Sequence, residues 1–204
     1  MGRKKKPLPL LEQVTISDAG AEGKAVARVD DLVVFVTGAV PGDVADVQVF
    51  RKRRRYLEGR PVKFHHYSDK RTEPVCTHFG TCGGCKWQHM GYDYQLHYKQ
   101  QQVQDHLQRI GRLDLPAITP IMGAPATEYY RNKLEFSFSN QRWRTAAEME
   151  EPLPADDQNA LGFHVPGRFD KILDIQHCHL QAGISNDIRL AVKAYALEHS
   201  LSFF

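Results

Sequence analysis

Four cysteines are the residues of this chain with the clearest capacity for chemistry. Cys76, Cys82 and Cys85 lie within ten positions, and Cys178 follows 93 positions after Cys85. In a reducing compartment such cysteines stay available as thiolates, which are soft metal ligands. Zinc sites usually contain two close pairs, whereas here there is one Cys-x-x-Cys pair, surrounded by glycines that allow the backbone to wrap closely. The spacing therefore favours an iron–sulfur cluster and leaves zinc open.

Histidines near the cysteines keep zinc among the alternatives. His78 and His89 flank the first three cysteines, and His177 and His179 flank Cys178. One of them could ligate zinc in place of a cysteine, although most are expected to support the ligands or to lie at the surface.

The positive charge of the chain is concentrated before the cysteines. Residues 1–72 carry 15 Lys and Arg side chains against 9 Asp and Glu, whereas residues 73–204 carry 12 against 15. A basic module of this kind favours a polyanionic partner, for which nucleic acid is the usual candidate. Adjacent cations repel one another unless phosphates neutralise them, although a solvated hairpin without a ligand is the alternative. The RNA-binding residues predicted in this module are Arg51, Lys52, Arg53, Arg54, Arg55, Tyr56 and Lys63.

The elements that carry this basic run are predicted to be short strands. Five segments rich in β-branched and aromatic residues occur between residues 11 and 67, separated by turns that contain Asp, Gly or Pro. Five short strands in so few residues predict a small barrel of the oligonucleotide-binding (OB) type, because closure removes exposed sheet edges. The strands are expected at 13–16, 25–29, 32–36, 44–50 and 56–64.

The rest of the chain predicts an α+β arrangement, so the fold class is mainly β with an α+β second part. The clearest helix is expected from Asp93, as its cap, to Gly111, with an apolar stripe on one face. That stripe consists of Leu96, Val103, Leu107 and Ile110. The other expected elements are a strand at 133–140, an exposed acidic loop at 142–160, a hairpin of 161–165 with 169–175, and a last helix from about residue 185 with Ile188, Ala191, Val192 and Tyr195 on one face.

Three segments together resemble one enzyme family. Cys76-Thr-His-Phe-Gly-Thr-Cys-Gly-Gly-Cys-Lys-Trp-Gln-His89, followed by Tyr92, Gln95 and Lys99, closely resembles the signature of bacterial RNA uracil-5-methyltransferases that carry a 4Fe-4S cluster. Val40-Pro41-Gly42-Asp43 and the strands around it are similar to the TRAM domain, a small RNA-binding barrel. Tyr130-Arg131-Asn132-Lys133 and His177-Cys178-His179-Leu180 resemble the central domain of the same family, in which the fourth cluster ligand lies.

The resemblance implies a reaction, a substrate and two cofactors. It implies methyl transfer from S-adenosylmethionine to carbon 5 of a uridine in 23S ribosomal RNA, with a 4Fe-4S cluster held by the four cysteines. It also implies that Gln88, His89, Arg131 and Lys133 help to shape the bound RNA. The expected domains are a basic tail at 1–10, the TRAM barrel at 11–67, the iron–sulfur central domain at 68–182, and a helix at 183–204 that leads to a catalytic domain.

The S-adenosylmethionine-binding domain itself is not recognisable in these 204 residues. No Gly-x-Gly-x-x-Gly occurs, so no residue is assigned to catalysis or to S-adenosylmethionine, which is expected to bind only the full-length enzyme. The chain alone is therefore expected to be inactive.

Two other functions are compatible with the same residues. One is a non-enzymatic, zinc-dependent RNA-binding module, and the other is part of a transfer-RNA uracil-5-methyltransferase. No apolar run approaches the roughly 18 residues that span a bilayer, so a cytoplasmic protein with no membrane partner is expected. RNA is the expected partner, and no obligate protein partner is predicted.

Overall fold

The computed structural model describes residues 7–150 and 158–203, which divide into two units. The first unit contains the residues up to 73 together with 89–123, and the second contains 74–88 together with the residues from 124 onward. The cysteine segment therefore belongs to the second unit, although the chain on either side of it belongs to the first. Within the described residues, no helix is long and apolar enough to cross a membrane.

The first unit is built on a six-stranded sheet. Its strands are β1 (Leu10–Thr15), β2 (Asp18–Ala19), β3 (Lys24–Val29), β4 (Leu32–Thr37), β5 (Val44–Lys52) and β6 (Tyr56–His66). They lie in the order β1-β5-β6-β4-β3-β2, and every neighbouring pair is antiparallel except β4 with β6, which is parallel. The five predicted strands are thus confirmed as β1 and β3 to β6, and the two-residue β2 is an addition.

Alternating small and β-branched residues give this curled sheet one buried face, which packs into a single core. Ala27, Val34, Val36, Ala45 and Val47 are fully buried, and their strand neighbours point to the other face. The β5–β6 pairing shifts register at three places. Such bulges bend a strand and increase its twist, which lets two long strands curl over the core.

A buried carboxylate joins the β4–β5 connection to the segment after β6. Asp43 is 0% exposed, and its Oδ2 and Oδ1 accept backbone hydrogen bonds from Val40 (2.7 Å) and Ser68 (3.0 Å). Arg71 donates to both oxygens, through Nε at 2.8 Å and Nη2 at 2.7 Å. Burial alone would raise the pKa of Asp43, but these hydrogen bonds outweigh it and hold the pKa below the ordinary value. The Val40–Asp43 turn needs Gly42, where φ is +100° and a Cβ would lie 2.6 Å from the Ser68 Oγ.

The helix of the first unit, α1, spans Tyr92–Asp105 and continues as a π-helical turn over His106–Ile110. The predicted extent is confirmed, but the N-cap is Gly91 and no side chain caps the helix, so the predicted Asp93 cap is wrong. The predicted apolar stripe is not a buried face. Val103 and Ile110 are 49% and 75% exposed, whereas Tyr98 is buried. Helical periodicity located the stripe, but the neighbouring chain packs against a different side of the helix.

The second unit contains a three-stranded antiparallel sheet with the order β7-β8-β9. Its elements are β7 (Ser137–Ser139), α2 (Ala146–Met149), β8 (Ala160–Val165), β9 (Arg168–Asp174) and α3 (Gly183–Glu198). The predicted hairpin is confirmed, and the predicted strand at 133–140 is shortened to β7. The predicted loop at 142–160 contains α2, and its residues 151–157 lie outside the described residues.

The last helix presents its polar residues to the interior. Asn186 and Arg189 of α3 are buried, whereas the apolar face predicted from Ile188, Val192 and Tyr195 is exposed. The assumption that the apolar face is the packed one is therefore wrong for this helix. Asn186 and Arg189 are buried because they bind backbone atoms of the segment that follows β9.

Candidate functional site

The four cysteines line a single pocket of the second unit. Three come from the 74–88 segment, and Cys178 comes from the segment between β9 and α3. The structure thus brings together side chains that are far apart in the sequence. Other residues that line the pocket include Phe79, Phe163, Ile175 and Leu180, which are apolar, and His78, Gln88, His177 and His179, which are polar.

Backbone hydrogen bonds within the 74–88 segment shape the chain around its three cysteines. The Phe79 amide donates to the Cys76 carbonyl at 3.0 Å, and the Cys82 amide donates to the His78 carbonyl at 2.9 Å. The Gly84 amide points to the Cys82 Sγ at 3.4 Å. Amide hydrogen bonds to ligand sulfurs are one of the means by which proteins tune iron–sulfur clusters.

Two polar side chains hold this segment in place, His78 through a contact with another part of the chain and Gln88 through contacts within the segment. His78 Nε2 accepts a hydrogen bond from the Gln176 amide at 3.1 Å, which ties the first cysteine segment to the one that carries Cys178. Burial lowers the pKa of His78, which favours the neutral ring that this acceptor role requires. Gln88 accepts a hydrogen bond from the Cys76 amide at 3.2 Å and also hydrogen-bonds the Cys85 side chain.

The fourth cysteine is held by α3. The Asn186 Oδ1 accepts a hydrogen bond from the Cys178 amide at 2.8 Å, and its Nδ2 donates to the Cys178 carbonyl at 3.1 Å. Arg189, one helical turn later, donates to the carbonyls of Ile175 and of Gln176, the latter at 3.0 Å. The two side chains together bond backbone groups of Ile175, Gln176 and Cys178 and place Cys178 in the pocket.

Burial makes two of the four thiols harder to ionise. Burial raises the pKa of the Cys82 and Cys85 thiols, and the other cysteines add to the effect. A metal would have to displace these protons. Within residues 7–150 and 158–203, no group of three or more His, Cys, Asp or Glu side chains is arranged so that it could hold a metal ion. The pocket therefore supplies a suitable donor set without a preformed coordination geometry.

The two histidines beside Cys178 belong to a hydrogen-bonded group with Tyr129. The Tyr129 hydroxyl lies 3.2 Å from His177 Nε2 and 3.1 Å from His179 Nδ1, and Glu128 is 3.5 Å from His179 Nδ1. These contacts occupy a nitrogen of each ring. Sequence reasoning missed Tyr129, and it also missed Asn186 and Arg189, whose only signal was an Asn and an Arg three positions apart beside an apolar stripe.

The predicted basic run lies in the first unit, at the β5–β6 connection. The side chains of 51–55 are all exposed, with 53–55 forming the turn between the strands. Tyr56 is half-buried, with its ring edge-on to Phe35 at 5.5 Å, so only part of it is open to a ligand. Lys63 is exposed on β6. The structure therefore presents one continuous cationic turn.

The other four predicted RNA contacts lie outside that turn in the sequence, and three of them belong to the second unit. Gln88 is half-buried in the cysteine pocket, and His89 is 5% exposed in the interior of the first unit, which leaves it no RNA-facing surface. Arg131 is exposed, and its positive charge partly offsets the rise in the pKa of the Cys85 thiol. Lys133 is exposed and forms an ion pair with Glu135 at 2.8 Å. Of this set, Arg131 and Lys133 are exposed, Gln88 is partly exposed, and His89 is buried.

Comparison with known proteins identifies a domain match and several relatives. Residues 12–62 match the family model of the TRAM domain. A Bacteroides thetaiotaomicron protein named "Uncharacterized RNA methyltransferase" is 56% identical over 183 residues, which are 90% of this chain and 40% of that protein. A protein of the same name from Porphyromonas gingivalis is 49% identical over 186 residues, again 90% of this chain and 40% of the relative.

A solved structure shares the fold. The crystal structure of Pyrococcus abyssi tRNA (uracil-54, C5)-methyltransferase in complex with S-adenosyl-L-homocysteine matches 94% of this chain and 38% of its own, with a TM-score of 0.58 and 21% sequence identity. The chain contains a TRAM domain, as its sequence suggested, and it is related to proteins named RNA methyltransferases. It spans about 40% of the length of these curated relatives.

Proposed function

We propose that this chain is the RNA-recognising and cluster-bearing part of an S-adenosylmethionine-dependent RNA (uracil-5-)-methyltransferase that acts on 23S ribosomal RNA. The observation that carries the proposal is the convergence of four cysteines, from two distant segments, on one pocket in a chain that also matches the TRAM domain. Methyl transfer is proposed for the whole protein, of which these residues supply recognition and scaffolding.

The pocket suits a 4Fe-4S cluster in its donor chemistry. Four thiols match the all-cysteine ligand set of such clusters, apolar side chains line the walls, and an amide already points to Cys82 Sγ. Cys76, Cys82, Cys85 and Cys178 would hold the cluster, which would link the 74–88 segment to the segment after β9. With cysteines as all four protein ligands, such a cluster would leave no iron position open to a substrate, and its proposed role is to link the two segments.

The first unit suits RNA. Its strand order and its single parallel pair support the proposal that the TRAM sheet is an OB-like barrel, a fold that binds oligonucleotides. The exposed turn at 51–55 concentrates positive charge where phosphates can reach it. Arg51 lies 3.6 Å from Glu58, so Arg53 and Arg54 at the centre of the turn are the better pair to test.

Metal analysis tests the cluster. Protein purified without oxygen should contain iron and sulfide in cluster stoichiometry and show a broad sulfide-to-iron absorption band, and Cys178→Ser should lose most of the iron. Ser185→Ala is the matched control, since Ser185 lies seven positions after Cys178, in α3, and outside the pocket lining. Zinc without iron in protein never exposed to air would overturn the cluster and favour the zinc-dependent RNA-binding module.

RNA binding tests the substrate class. The chain should bind 23S ribosomal RNA fragments more tightly than transfer RNA, and Arg53→Glu with Arg54→Glu should weaken binding and flatten its salt dependence, because two phosphate contacts are lost. Equal affinity for both RNAs would remove the assignment to ribosomal RNA. Unchanged affinity of the double variant would remove the assigned role of the basic turn.

A further inference from the structure

Three side chains at the far end of β6 form a stacked group, which we call the aromatic platform: Phe64, Tyr67 and Arg71. The two rings are nearly parallel, at 26°, with centroids 4.6 Å apart. The Arg71 guanidinium lies 4.8 Å from the Phe64 centroid and 5.3 Å from the Tyr67 centroid. All three residues belong to the first unit.

The platform is held rigidly by the buried Asp43. Both carboxylate oxygens accept from Arg71, at 2.8 and 2.7 Å, and Arg71 Nη2 also donates to the Gly38 carbonyl at 3.2 Å. Because Asp43 balances its charge, Arg71 is a poor phosphate ligand, and its role is to fix the rings. A ring ordered before binding loses little conformational entropy when a ligand stacks on it.

The platform is open to solvent through Tyr67, which is 62% exposed, whereas Phe64 is half-buried. Phe64 covers one face of the Tyr67 ring, so the solvent-exposed area of Tyr67 lies away from that face. A rigid aromatic ring that is supported on one side and open on the other is the arrangement on which unpaired bases stack. The neighbouring Lys63 and His66 are also exposed, which makes the surroundings cationic or polar.

The platform and the basic turn at 51–55 lie at opposite ends of one hairpin. In the β5–β6 pairing, Val44 is opposite His66 and Lys52 is opposite Leu57. The 11 residues of β6 span roughly 30 Å at the usual rise of an extended strand. An RNA segment that lies along the hairpin could therefore contact the cations at one end and the platform at the other.

We propose that the aromatic platform of Phe64, Tyr67 and Arg71 stacks an unpaired base of the bound RNA, with Tyr67 as the contact ring. The inference rests on the proposed RNA-binding function and adds a second contact of a different physical kind. Stacking does not read base identity, so the platform positions the RNA and discriminates single-stranded segments from duplex.

Binding of a labelled single-stranded RNA oligonucleotide to the whole chain, measured by anisotropy over a salt series, tests this contact. Tyr67→Ala should weaken binding roughly 5- to 150-fold, the range that corresponds to one lost stacking contact. The slope of log Kd against log salt should stay that of the wild type because no cation is removed. Tyr67→Phe is the matched control and should bind like the wild type, because it keeps the ring.

A duplex of the same sequence supplies the second readout, and its affinity should be the same for Tyr67→Ala and the wild type. The inference is overturned if Tyr67→Ala binds the single strand like the wild type, if Tyr67→Phe is as weak as Tyr67→Ala, or if duplex affinity falls in parallel. If the wild type binds no RNA at any salt concentration, the proposed function itself fails. Circular dichroism should show that all variants are folded, since Tyr67 is an exposed residue.

Discussion

Asn186 offers the most direct test of how the fold places Cys178 in the pocket. Its amide side chain makes two hydrogen bonds to the Cys178 backbone, at 2.8 and 3.1 Å, and a third with Arg189 at 3.1 Å. Asn186→Ala removes all three and leaves the Cys178 amide and carbonyl without that partner in a buried position. Each buried group that loses its partner costs about 1–3 kcal/mol, so a total loss of about 2–6 kcal/mol is expected for the two groups.

The variant should be measured in two ways. Thermal unfolding should show the second unit melting on the order of 10 °C lower, as expected for a unit of this size. Iron per chain, after purification without oxygen, should fall because Cys178 is no longer held toward the other thiols. The first readout depends only on the hydrogen bonds, whereas the second also depends on the proposed cluster, so the two can fail separately.

The neighbouring position provides the matched control. Asp187 is exposed on the same helical turn, so Asp187→Ala should leave both the melting temperature and the iron content close to those of the wild type. Asn186→Asp keeps the acceptor for the Cys178 amide but loses the donor, and should lie between the wild type and Asn186→Ala. If Asn186→Ala melts and retains iron like Asp187→Ala, the assigned role of Asn186 in holding Cys178 is refuted.

Two further predictions concern packing. Arg71→Met leaves the Asp43 carboxylate buried without its cation and should destabilise the first unit by about 3 kcal/mol in urea unfolding. The folded-state pKa of Asp43 is lowered, so its contribution to stability should be complete above the ordinary pKa of 3.8 and be lost as the pH falls through the lower folded-state value, a dependence that Arg71→Met should weaken. Gly162→Ala would bring a Cβ within 2.0 Å of the Leu173 carbonyl oxygen, so it should disrupt the β8–β9 pairing and lower stability by about 3 kcal/mol, measured by thermal unfolding.

Each of these two substitutions has a matched control variant in the same chain. Gly183→Ala adds a Cβ with no atom within 4 Å and should not lower stability, so an equal loss in both glycine variants would contradict the steric argument. Arg109→Met removes an exposed cation whose partner Asp105 is also solvent-accessible, and should have little effect. If Arg71→Met is as stable as Arg109→Met at neutral pH, the buried ion pair does not stabilise the first unit.

The strand pattern of the first unit was predictable because each strand alternates between a buried and an open face. Val34 and Val36 point inward and their neighbours outward, and that period of two is visible in the sequence. The sequence predicted the two long helices at the right positions, but the apolar face predicted for each is not its buried face. In α3 the exposed face is the apolar one, since Asn186 and Arg189 are needed inside to bind the backbone around Cys178.

The sequence by itself determined the set of cysteines, the basic run and the TRAM-like strands, because these depend on residue types and short spacings. Only the tertiary structure decided that Cys178 joins the other three cysteines, that His89 is buried, and that Tyr67 rests on Phe64 and Arg71. Contacts between residues far apart in the chain depend on how strands and helices pack. Local periodicity in the sequence does not predict that packing, because the same polar side chain can face water or satisfy a buried backbone group.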